Sequence, residues 1–141
     1  MIKIGLFTTD INQIATKFYY ELIRQNKNFN LEIIYPSLIN QLKKYQLIII
    51  PPYKKEYNYI KKIRSLNPKI CLLDPRNKFQ ASKLRKDDFC IIDSVEQYDL
   101  VSRYSENLFI YHEYPLFEKE TIDFNKNPKE INIFYHGNKV H

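Results

Sequence analysis

The chain has 141 residues, 44% hydrophobic and 27% charged, with a net charge of +6 and two glycines, Gly5 and Gly137. That length suits one domain, burying roughly two thirds of the surface its unfolded chain exposes, and the composition excludes a disordered chain. Two glycines weigh against a phosphate cradle built from several of them, and the longest apolar stretch, "LIIIPP", is far too short to span a bilayer.

The first segment, Ile2 to Phe7, alternates and is β-rich, so "MIKIGLF" reads as a strand and not as a signal peptide. Asp10 with Gln13 has the spacing of a capping box. Ile11, Ile14, Ala15, Phe18 and Leu22 then recur at helical spacing. Leu31 to Tyr35 is a second strand and Leu38 to Leu42 a short helical piece. Gln46 to Ile50 is an unbroken apolar run, as in parallel strands covered on both faces. From Tyr53 to Leu66, Tyr53, Tyr57, Ile60, Ile63 and Leu66 share a helical face, and Lys54, Lys55, Lys61, Lys62 and Arg64 occupy much of the rest.

Lys69 to Leu73 is a fourth strand, ending in "DPRN", and a weaker helix covers Phe79 to Arg85. Asp88 to Ile92 is a fifth strand. Ser94 with Gln97 forms a second capping box and opens a helix to about Tyr104, and Asn107 to Tyr111 is a sixth strand. Strand and helix alternate with connections too long for hairpins. The pattern predicts an α/β, Rossmann-like, doubly wound and mostly parallel sheet of about six strands, helices on both faces, spanning residues 1–112. Residues 113–130 are polar, with two prolines and no period, and read as a linker to "INIFYHG".

The basic excess has a bland source. Ile, Lys, Asn and Tyr, which crowd the chain, have A/T-rich codons, and Lys far outnumbers the Arg that bidentate base contacts favour. Nucleic acid is therefore not an expected partner. The basic, Tyr-rich face of Tyr53, Lys54, Lys55, Lys61 and Lys62 suits either solvent or peripheral contact with an anionic membrane. Cys71 and Cys90 sit in apolar runs without pairing or metal spacing, which fits a cytoplasmic chain.

In an open parallel sheet ligands bind beyond the carboxyl ends of the strands. That places Thr8, Thr9 and Asp10, then Tyr53 and Lys54, then Asp74, Arg76 and Asn77, then Asp93 and Ser94, and finally His112 and Glu113 as candidates. Each has a structural alternative. Asp10 and Ser94 fit helix caps, Asp74 before Pro75 fits a turn, and Arg76 fits either an anion contact or solvent. No His-x-Glu, Cys pair or acidic cluster signals a metal. The loop after the first strand, "FTTDINQ", lacks the glycines of a dinucleotide fold, and "IIIPPYKK" lacks the strand-end Asp of a phosphoacceptor domain. A nucleophile elbow is also absent.

Four segments, "MIKIGLFTTD", "DDFCIIDSVEQYDLV", "ENLFIYHEYPLFE" and "EINIFYHGNKVH", carry a likeness that covers essentially the whole chain. It resembles the N-terminal domain of two-domain, GT-B type glycosyltransferases. The resemblance implies an acceptor-side domain, with residues 131–141 as the first strand and loop of a C-terminal donor-binding domain otherwise missing. It puts Thr8, Thr9, Asp74, Arg76, Asn77 and Ser94 at a sugar or lipid-linked acceptor, with Asp10 and Asp93 as candidate bases. His136, Gly137 and Asn138 fall on the donor side. A nucleotide sugar enters as donor only with that second domain, so this chain alone holds no cofactor and is expected to be inactive. The family's usual setting is polysaccharide or glycolipid assembly, cytoplasmic or membrane-peripheral. The alternative is a self-contained, flavodoxin-like binding domain without enzymatic activity. The 131–135 strand, if left at an edge, is expected to favour self-association.

Overall fold

The computed structural model describes residues 1–67 and 69–111. Along the chain run β1 (Ile2–Phe7), α1 (Ile14–Arg24), β2 (Phe29–Ile34), a 3-10 helix (Pro36–Lys44), β3 (Leu47–Ile50), α2 (Lys54–Tyr57), α3 (Ile60–Leu66), β4 (Ile70–Leu73), α4 (Lys78–Ala81), β5 (Phe89–Ile92), α5 (Val95–Val101) and β6 (Asn107–Ile110). The six strands form one parallel sheet in the order β2-β1-β3-β4-β5-β6. This is a Rossmann-like α/β fold. The winding direction reverses between β1 and β3, so the crevice where loops diverge opens there. The linker expected over 113–130, the strand expected over 131–135, and His112, Glu113, His136, Gly137 and Asn138 lie outside the described residues.

β3 and β4 are central because their sequences are apolar without alternation. "ICLL" is buried at every position and "LIII" at all but the first. One face of the sheet presents Ile4, Leu6, Ile49, Cys71 and Leu73 to Tyr19 and Phe18 of α1. The other presents Phe7, Ile34, Ile48, Ile50, Ile70, Leu72, Cys90 and Ile92 to the 3-10 helix and α2 to α5. Cys71 and Cys90 thus project to opposite faces of adjacent strands and cannot bridge. Burial pushes both thiols up, Cys90 to about 12, so both stay protonated and inert.

Three expectations need correction. Ile14 does not join the core face of α1: it is 87% exposed, while Thr16 and Tyr19 are buried. Helix α1 starts at Ile14, and that side chain borders a cleft at the strand ends instead of the sheet. The helix expected over 53–66 is two short ones, broken at Asn58 and Tyr59. Arg64 is not on the solvated face. Its Nη1 donates to Asp88 Oδ1 at 2.7 Å and its Nη2 to the Lys83 carbonyl at 2.6 Å. Asp88 is 1% exposed, and a carboxylate so buried needs a cation.

Gly5 is explained by packing. A Cβ there would lie 3.0 Å from Ile48 Cδ1 and 3.2 Å from the Tyr45 ring. Tyr45 is fixed by donating to Glu32 Oε2 at 2.6 Å, and burial with that contact pushes its phenol up to about 12. Neither neighbour yields easily. Gly5→Ala is expected to cost about 1–3 kcal/mol through overpacking, read as a lower urea midpoint with an unchanged slope. A midpoint equal to the parent's contradicts the close approach.

Candidate functional site

The carboxyl ends of β1, β3, β4 and β5 carry short polar loops that side chains tie to one another. Glu56 begins the series. It lies in α2 just beyond β3, is fully buried, and reaches the loop after β1. Its Oε1 accepts the Thr9 N–H at 2.8 Å and the Thr9 hydroxyl at 2.7 Å, with Thr8 Oγ1 at 3.4 Å. Tyr53, on the same loop, accepts the Ala15 N–H at 3.0 Å through its hydroxyl. That contact satisfies an orphan donor in the first turn of α1.

Asp10 does not cap α1. Its Oδ1 accepts the Asn12 N–H at 2.9 Å, and the N-cap, Gln13, makes no side-chain cap bond. An Asp hydrogen-bonding two residues on competes directly with helix capping, and here the turn wins. Asp10 is left exposed at the surface.

Beyond β4 the chain turns sharply. Asp74 is buried with φ of 45°, the left-handed region that a non-glycine residue occupies at a cost on the order of 1–2 kcal/mol. Its N–H donates to the Ile91 carbonyl at 2.7 Å, its Oδ2 accepts from Arg76 Nε, and its Oδ1 accepts from Gln97 Nε2. Gln97 also accepts the Asp93 N–H at 2.8 Å. As expected, Ser94 caps α5, accepting the Gln97 N–H at 3.3 Å. Gln80 repeats this logic in α4. It accepts the Arg76 N–H at 2.6 Å, donates to the Pro52 carbonyl at 3.1 Å, and is itself capped by Asn77 at 3.0 Å.

The result is a pair of carboxyl groups about one guanidinium. Arg76 Nη2 lies 3.7 Å from Asp93 Oδ2 while its Nε holds Asp74. Partial burial, then the neighbouring Asp74 carboxylate, lift the Asp93 carboxyl above the ordinary range, and Arg76 pulls in the other direction. Beside Asp74 and Arg76 opens a cleft of about 410 Å³, walled by Ile14, Ala15, Phe18, Pro52 and Tyr53. Phe18 is backed by the Tyr111 ring, 6.5 Å away.

Of the residues the sequence singled out, Asp74, Arg76 and Asp93 meet in one cluster. Ser94 and Asn77 support it as caps, and Thr8 and Thr9 are bound into the loop contacts. Tyr53 turns inward to α1, and Lys54, Lys55, Lys61 and Lys62 remain exposed. Glu56 and Gln80 were missed. The signal for Glu56 was an isolated acid in "PPYKKEYNY". Among the described residues no group of three or more His, Cys, Asp or Glu side chains is gathered as for a metal, and no helix is long and apolar enough to cross a membrane. No family model, curated protein or solved structure matches the chain.

The carboxyl pair is directly testable. The Asp93 carboxyl should titrate above 3.8 in carbon-13 NMR, and Asp74→Asn should lower its midpoint. The same raised value implies that its contribution to stability falls as pH rises from 3.8 through the folded midpoint. An Asp93 midpoint unmoved by Asp74→Asn contradicts the coupling.

Proposed function

We propose that this domain is the acceptor-side half of a nucleotide-sugar-dependent glycosyltransferase. It binds a sugar or sugar-bearing lipid at the carboxyl edge of its sheet. The observation that carries this reading is the Asp74–Arg76–Asp93 cluster beside a cleft with aromatic walls. Hydroxyl-rich ligands suit this chemistry: carboxylate oxygens accept from hydroxyls, and aromatic rings cover the apolar face of a sugar. A carboxyl held above its ordinary range is also closer to the requirement for a general base at an acceptor hydroxyl, which assigns that role to Asp93. The donor nucleotide sugar belongs to a second domain.

The strand order supports a second reading. Its first five strands follow the flavodoxin-like order 2-1-3-4-5 and not the dinucleotide-fold order 3-2-1-4-5-6. On that reading the same edge binds a ligand and performs no transfer.

An NMR titration with octyl glucoside, octyl galactoside and octyl N-acetylglucosaminide, each below its micellar concentration, tests the acceptor site. Saturable shifts of Phe18, Tyr53 and Asp93, weakened about tenfold by Phe18→Ala, are expected for an acceptor site. Binding that persists unchanged in Phe18→Ala, or no saturable shift, contradicts the acceptor assignment.

A further inference from the structure

A second concave surface lies on the other face of the sheet from α1, between α2–α3 and α4. It consists of two adjoining hollows of about 590 and 440 Å³ that share Tyr57 and Phe79 as walls. The charged residues around it are of one sign. Lys54 and Lys78 border the first hollow, and Lys61, Lys83 and Arg85 the second. Arg64 also borders the second, but its guanidinium is neutralised by Asp88. No carboxylate borders either hollow, and none of the other five cations forms a salt bridge among the described residues. Elsewhere on this surface acids and bases do pair, as with Arg24 and Glu21 or Lys86 and Glu106.

Two aromatic residues give the surface more than charge. Phe79 is 55% exposed, and Lys83 Nζ stands over its ring, 4.5 Å from the centroid. Tyr57 is 4% exposed and borders both hollows, and its hydroxyl, itself buried, has no hydrogen-bond partner among the described residues. Burial, with Cys90 and Asp74 nearby, pushes that phenol upward.

We propose that this cleft binds a phosphate ester, its phosphoryl oxygens meeting Lys54 and Lys78 and its apolar group seated against Phe79 and Tyr57. Several uncompensated cations match a dianionic group better than a single carboxylate, and the aromatic walls match an ester better than inorganic phosphate. The first hollow shares Asn77 and Gln80 with the contacts around Arg76, but the proposal does not depend on the reading of the Asp74–Asp93 cleft. A soluble phosphomonoester and a phospholipid headgroup both present this chemistry.

The full chain titrated with phenyl phosphate, followed by NMR, should show saturable shifts at Phe79 and Tyr57, with inorganic phosphate binding more weakly. Lys54→Gln/Lys78→Gln is expected to weaken phenyl phosphate about tenfold, while Lys55→Gln/Lys62→Gln, exposed lysines that border neither hollow, should leave it unchanged. Co-sedimentation with phosphatidylcholine vesicles, with and without phosphatidic acid, distinguishes the sources. Binding that needs phosphatidic acid and is lost in the first double variant alone assigns a lipid headgroup. Phenyl phosphate binding without vesicle binding assigns a soluble ester. Equal loss in both double variants, or no binding of either probe, overturns the proposal.

Discussion

The carboxyl edge of this sheet depends on one buried acid. Parallel strands leave their loops free of one another, and nothing in the backbone ladder fixes how the loop after β1 sits against the loop after β3. Glu56 does so by drawing the Thr9 amide and hydroxyl onto one oxygen at the reversal of winding. Those hydrogen bonds satisfy one of its two oxygens, while Oε2 is buried with no hydrogen-bond partner among the described residues. From there the contacts run across the edge. Tyr53 sets the start of α1, Gln80 joins α4 to the β3 loop, and Gln97 joins α5 to Asp74 and Asp93.

That cross-linking gives the site its character. Asp74, next to Pro75, holds a left-handed backbone and two side-chain partners, Arg76 and Gln97. Such strain persists only where the surroundings over-determine it, and it concentrates where ligands are handled. The core below is plain by comparison, two apolar layers on either face of a short-stranded sheet. The basic residues are sorted as well. Some face solvent, Arg64 serves a buried carboxylate, and others collect around the aromatic hollows between α2–α3 and α4.

The sheet was legible in the sequence because β-branched apolar runs between polar breaks have few other uses. β1 matches its expected span, and β3 to β6 fall within a residue of theirs. Caps were legible where the acceptor had no rival, as at Ser94. They were not at Asp10, because the same side chain closes a two-residue turn equally well. Arg64 was misread as solvated and Glu56 was passed over for a common reason: each sits in a basic run, and its carboxylate or loop partner lies 24 or 47 residues away. Local pattern carries no information on such distant pairs. The cluster of Asp74, Arg76 and Asp93 was legible as strand-end candidates, but the sharing of one guanidinium between two carboxyl groups requires the sheet order.

Native-state hydrogen exchange of the Thr9 amide, compared between the parent chain and Glu56→Ala, tests the role of this acid most directly. The amide should be protected in the parent. In the variant it should exchange at close to the rate of an open loop, while the amides of β3 and β4 stay protected. Thr9 protection that survives the loss of Glu56 would contradict the claim that this carboxyl group holds the strand-end loops together.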